Sequence, residues 1–163
     1  MRRIVGSFGG VGFAPVAAGT WGSLAALVTG YLLHWLGGFP LLAIATVVAF
    51  AAGLWAAQHE LGSPDKSEPS WIVIDEVVGM WIALFPLSLG LWLNDAPASL
   101  FPWPGWVSAF VIFRLLDIWK PGPVGWADRR HGAAGVMLDD VIAGILTALI
   151  VTVMAGIAHG WLA

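Results

Sequence analysis

The sequence predicts an all-α protein: a polytopic membrane helical bundle of about five membrane helices with a polar site at its cytoplasmic face. Three observations carry that expectation. Hydrophobic residues fill 59% of 163 positions and charged residues only 10%, against about 25% charged in a soluble domain. The apolar residues form five long runs separated by Gly, Pro and charged breaks. Nearly all acids and bases then fall at run ends that a single orientation places on one side of a membrane.

Composition also excludes several classes. There is no Cys, so disulfides, thiolate metal sites and cysteine-nucleophile phosphatase chemistry are ruled out. A formal charge of -3 and the lack of a basic stripe argue for no nucleic-acid partner. Met1-Arg2-Arg3 leads into a Gly-rich run instead of an apolar core with a cleavage site, so no signal peptide is expected. No internal repeat or linker appears, and residues 1–163 read as one domain. Eleven Trp against one Tyr suit a protein that keeps many indoles at headgroup depth.

The elements follow in chain order. Residues 6–19 are Gly- and Ala-rich with Pro15 and read as irregular, and Thr20 or Ser23 is expected to cap the helix that follows. The first apolar run covers residues 21–36 and is broken by Gly37, Gly38 and Pro40; the second covers 41–58 and ends at His59-Glu60. A polar loop, 62–70, carries Pro64 and Pro69. The third run, 71–93, has Asp75-Glu76 one turn inside its beginning. A loop with Asn94, Asp95, Pro97, Pro102 and Pro104 precedes the fourth run, 106–119, which is short against the roughly 20 residues of a spanning helix. The fifth, 137–158, opens with Asp139-Asp140 and is otherwise uncharged.

Placing the amino terminus inside puts Arg2, Arg3, Lys66, Lys120, Arg129 and Arg130 in cytoplasmic segments, while the turn at 37–40, the loop at 94–105 and the tail beyond 158 hold no Lys or Arg. Five crossings satisfy this distribution. They also gather Thr20, Ser23, Asp75, Glu76, Arg114, Asp117, Lys120, Asp139 and Asp140 on one face.

In a helix, Arg114, Asp117 and Lys120 lie three apart on neighbouring positions of one side, and Pro121 stops that helix. Asp75-Glu76 and Asp139-Asp140 are adjacent acids near helix beginnings, where the macrodipole favours carboxylates. Gly79 and Gly144 lie one turn further on and let neighbouring helices approach. Four or five carboxylates brought together repel unless a cation neutralises them, and all-oxygen ligation suits Mg²⁺. Arg and Lys supply what a phosphate needs to be held. Carboxylates plus cations on one face point to metal-assisted phosphoryl transfer.

Blander readings stand beside this one. Either acid pair also reads as helix-start capping, Arg114 and Asp117 as a structural ion pair, and Lys120, Arg129 and Arg130 as anchors to anionic lipid, readings that the convergence of both acid pairs on one side weakens. His131 is either a proton donor to phosphate or an ordinary loop histidine. His34, His59 and His159 receive no role, and Trp119 and Trp126 read as interface anchors. A CDP-alcohol phosphotransferase-like enzyme and an ion-coupled transporter are the alternative classes. The first lacks its spaced acidic signature here, and the second needs acids along a path instead of at one edge.

Four blocks occur in order: Gly19-Thr20-Trp21-Gly22-Ser23-Leu24; Ile74-Asp75-Glu76-Val77-Val78-Gly79-Met80-Trp81; Phe113-Arg114-Leu115-Leu116-Asp117-Ile118-Trp119-Lys120-Pro121; and His131-Gly132 followed by residues 135–144, from Gly135 through Asp139-Asp140 to Gly144. In these blocks the chain resembles the phosphatidylglycerophosphatase A family of bacterial lipid phosphatases. It departs from the family pattern at Ala18, usually Pro, and at Ala133, often a second Gly, and its basic loop is slightly shorter. The resemblance implies a Mg²⁺-dependent, multi-pass enzyme of the bacterial inner membrane with its active site facing the cytoplasm. Its lipid substrate would be phosphatidylglycerophosphate, cleaved to phosphatidylglycerol and phosphate. On this reading Asp75, Glu76, Asp139 and Asp140 are the metal candidates. Asp117, Asp139, Asp140 and His131 are the catalytic candidates, with Asp117 as an orienter or further ligand. Arg114, Lys120, Arg129, Arg130, Thr20 and Ser23 bind substrate. A metal-activated water is the preferred nucleophile, and an aspartyl-phosphate intermediate stays open.

Overall fold

Long apolar helices with no polar face satisfy their backbone internally and can present side chains to lipid as readily as to one another. The computed structural model follows that rule and describes residues 1–60, 69–130 and 132–162, with only the backbone at 59, 60, 161 and 162. Lys66 and His131, and the side chains of His59 and Glu60, lie outside the described residues. All regular structure among the described residues is helical: α1 (Arg2–Gly6), a 3-10 turn (Val11–Phe13), α2 (Ala18–Glu60), α3 (Ile74–Ala83), α4 (Phe85–Leu93), α5 (Trp103–Trp119), α6 (Pro123–Asp128) and α7 (Ala133–Leu162).

The first two apolar runs form α2, whose backbone leaves helical geometry at Gly37 (φ −156°) and Gly38 (φ 63°). A straight helix of this length would reach about 60 Å, twice a hydrocarbon core of about 30 Å. The glycine break divides it. Gly22 packs on Val73 while Gly53 packs on Ile74, so both outer ends of α2 return to the start of α3.

The third run divides where the sequence reading had one continuous helix. Pro86 lies in the first turn of α4; a proline there lacks an N–H and crowds the carbonyl four residues earlier, on Ile82. Helices α3 and α4 accordingly meet at a bend of 42°. Pro104 also lies in a first helical turn, but no helix runs into it from before, so it interrupts nothing, and α5 begins at Trp103 instead of 106. At the other end Ala133 starts α7, four residues before the expected 137. The segment read as a basic loop contains α6, one and a half turns.

Helix α3 is the axis of the bundle. Eight of its residues are buried, among them Val77, Val78, Met80 and Trp81, and Phe113, Met137, Ala143 and Leu84 complete the surrounding core. The buried indole of Trp81 donates from Nε1 to the carbonyl of Ala26 at 2.8 Å, which removes the cost of an unpaired donor in an apolar interior. The outer surface is itself apolar, with Val47, Leu36 and Val153 each more than 60% exposed. Among the described residues two helices are long and apolar enough to cross a membrane, Ala18–Gln58 and Ala133–Gly160, and the count rises to three if α3 with α4 is one bent span.

Candidate active site

Four chain segments distant in sequence converge at one end of this bundle: the start of α2, the start of α3, the end of α5 and the beginning of α7. Small residues allow it. A Cβ on Gly79 would lie 2.6 Å from the carbonyl oxygen of Asp140, and one on Gly144 2.4 Å from that of Gly79. The expected close approach of these helices is therefore present, and it brings both acid pairs together. Gly19 serves the same end, since a Cβ there would lie 2.2 Å from Glu76 Oε1.

The result is a cavity of about 210 Å³ lined by Asp75, Glu76, Asp117, Lys120, Asp139 and Asp140, with Pro69, Ser70 and Ile72 completing its wall. One oxygen from each of Asp75, Glu76 and Asp140 lies within 4.8 Å of the others. Glu76 Oε2 and Asp140 Oδ1 are buried with no hydrogen-bond partner among the described residues, and Asp140 also faces the carboxylate of Asp117. Buried acceptors crowded without donors are costly. A hard cation resolves that crowding, and a donor set made entirely of carboxylate oxygen fits one. The trio could hold a metal ion.

Asp139 has a different setting. Its Oδ1 accepts the Asp140 amide at 3.0 Å and its Oδ2 accepts Lys120 Nζ at 2.8 Å, which leaves it beside the trio. Because α7 starts at Ala133, Asp139 and Asp140 lie on its second turn, beyond the reach of the macrodipole argument that the sequence invited. Asp75 and Glu76 lie on the first turn of α3, which begins at Ile74 instead of the expected 71. There the Glu76 amide donates to Asp75 Oδ1 at 3.1 Å.

Arg114 lies one layer behind the cavity. Its Nη1 pairs with Asp117 and donates to Ser23 Oγ at 3.4 Å, and its Nη2 donates to Thr20 Oγ1 at 3.3 Å. Thr20 and Ser23 are thus not the expected helix caps. The helix already starts at Ala18, and Ser23 Oγ donates back to the Gly19 carbonyl at 2.9 Å, so both hydroxyls belong to residues inside the helix and face the guanidinium.

Lys120 closes α5 in the left-handed conformation (φ 46°). Its Nζ pairs with Asp128 as well as Asp139. Burial disfavours the ammonium, but the two carboxylates outweigh it and hold the pKa above the usual lysine range. Arg129 and Arg130 stay on the exposed rim, Arg130 with its guanidinium 3.9 Å over the Trp126 ring. They do not reach the cavity. Asp128 is the residue that sequence reasoning left without a role; its partner lies eight positions earlier across Pro121, Gly122 and Pro123, a separation that only the fold-back of α6 closes.

Comparison with known proteins adds an independent line. The family described as phosphatidylglycerophosphatase A matches residues 4–155. A phosphatidylglycerophosphatase A of Escherichia coli K12 is 36% identical over 93% of this chain and 80% of its own length. That of Haemophilus influenzae Rd is 33% identical over 87% and 81%. A Bacteroides thetaiotaomicron protein with the provisional name phosphatidylinositol-3-phosphatase is 39% identical over 92% and 91%. No solved structure matches the chain significantly.

Proposed function

Because the chain belongs to the phosphatidylglycerophosphatase A family, we propose that it hydrolyses the phosphomonoester of phosphatidylglycerophosphate to phosphatidylglycerol and phosphate. The observation that carries the chemistry is the cavity in which Asp75, Glu76 and Asp140 face Lys120. Mg²⁺ is the proposed cation, held by those three carboxylates with Asp139 adjacent. When bound it would supply positive charge to the phosphoryl oxygens and make water more acidic.

The protein's own groups divide the remaining work. Lys120 receives a phosphate oxygen at the cavity rim, and Arg114, fixed by Thr20, Ser23 and Asp117, offsets the acids from behind. A carboxylate, Asp139 or Asp140, takes the proton of the attacking water as its oxygen bonds to phosphorus. The phosphorus–oxygen bond to glycerol breaks, and the glycerol oxygen takes up a proton, for which His131 is the proposed donor. Arg129 and Arg130 meet the lipid headgroup outside the cavity. Five crossings with the amino terminus inside are proposed for the bundle, which places this end at the cytoplasmic face of a bacterial inner membrane.

The name of the Bacteroides relative favours a second substrate reading, phosphatidylinositol 3-phosphate. Purified protein in nanodiscs, offered each lipid in turn, should release phosphate from phosphatidylglycerophosphate at the higher kcat/KM and only with Mg²⁺. Preference for the inositol lipid reverses the substrate assignment. Full activity in chelator removes the metal, and wild-type rates for Asp75→Asn with Asp140→Asn remove the site.

A further inference from the structure

Lys120 occupies a backbone conformation that L-residues with side chains seldom take, at a cost of about 1 kcal/mol or more. Something must hold it there. Helix α6 does so: a Cβ on Gly125 would lie 2.5 Å from the Lys120 carbonyl oxygen, so the helix is pressed against the Lys120 backbone. The turn is tight, with Val124 N donating to Pro121 O at 3.1 Å and Trp126 N to Gly122 O at 3.0 Å. The last residue of the same helix, Asp128, then reaches back to Lys120 Nζ.

The ammonium is consequently held from two directions. Asp139, 9% exposed, draws it inward; Asp128, 42% exposed, draws it toward the rim. With Asp139 alone, a flexible lysine would fall onto the carboxylates of Asp75, Glu76 and Asp140 in the same cavity, satisfying acceptors that the cation is proposed to occupy.

We infer that Asp128 is a positioning residue that acts through Lys120, holding its ammonium at the rim of the carboxylate cavity, where the phosphate of the substrate replaces Asp128 as its partner. The inference rests on the proposed phosphatase reading. It assigns Asp128 no contact with the reacting atoms.

Two consequences separate this role from a purely structural one. Without Asp128 the lysine relaxes inward, so the phosphate is met more weakly and the cation meets a competitor. Asp128→Asn should raise KM for phosphatidylglycerophosphate about tenfold, with kcat changed less than about threefold, and should raise the Mg²⁺ concentration for half-maximal activity. Asp128→Glu should restore both.

The experiment is a double-mutant cycle on the full chain in nanodiscs: wild type, Asp128→Asn, Lys120→Gln and the pair, with phosphate release measured against lipid and against Mg²⁺. The expected result is that the pair is no worse than Lys120→Gln alone. Wild-type KM and Mg²⁺ dependence in Asp128→Asn, or single effects that simply multiply in the pair, would overturn the inference. If Asp128→Asn does not fold, Asp128→Ser answers the same question. Lack of any phosphate release by the wild type strikes the parent reading, so the two failures are distinguishable.

Discussion

Gly79 and Gly144 touch backbone to backbone: a methyl on Gly144 would sit 2.4 Å from the carbonyl oxygen of Gly79. Between membrane helices, where packing replaces the hydrophobic drive, this contact sets how near the acids of α3 and α7 can come. Gly144→Val must push the helices apart. We expect a loss of about 3 kcal/mol of stability together with near-complete loss of activity, read by thermal melting in detergent and by phosphate release. A variant that melts like wild type would contradict the packing.

The carboxylate trio predicts a metal-linked stability. A ligand that binds only the folded state at 100 times its dissociation constant adds about 2.7 kcal/mol. Mg²⁺ should therefore raise the melting temperature of the wild type, and Asp140→Asn should abolish that rise while melting no lower without metal, since it relieves crowded acceptors. An unchanged Mg²⁺ response in Asp140→Asn would place the cation elsewhere.

For Arg114 the expected outcome concerns geometry as much as charge. Two guanidinium nitrogens serve Asp117, Ser23 and Thr20 at once, a fork that a single ammonium cannot reproduce. Arg114→Lys should cost on the order of 100-fold in kcat/KM. Thr20→Ala, which removes one 3.3 Å contact, should cost far less. Equal activity of Arg114→Lys and wild type would show that the fork is dispensable.

Trp81 offers a control that separates stability from chemistry. Its Nε1 bond to the Ala26 carbonyl lies in the core, away from the cavity lining. Trp81→Phe keeps a large ring and loses that bond, for a predicted cost of about 1 kcal/mol with kcat and KM unchanged. A kinetic effect at constant stability would mean that the core is coupled to the site.

Composition and breaks made the helical membrane class legible, and Gly79 and Gly144, one turn past each acid pair, foretold the contact that unites them. Asp75 and Glu76 were expected one turn inside a helix beginning at 71, but α3 begins at Ile74 and they lie on its first turn, because residues 71–73 stay outside the helix. The start of α7 was not readable, since residues 133–136 are small and apolar enough to continue a helix or a loop. Pro86 was visible, but an unbroken apolar run concealed its bend. The pairing of Asp128 with Lys120, and of Thr20 and Ser23 with Arg114, depends on contacts across the fold that no local pattern encodes.

The division of the acids between α3 and α7 bears on how the protein is made. Asp75 and Glu76 are synthesised early, whereas Asp140 arrives 64 residues later, counting from Glu76, on α7. Until that helix docks through Gly144, the earlier carboxylates lack their third partner. On the proposed reading, docking of α7 through Gly144 is therefore what completes the cation site.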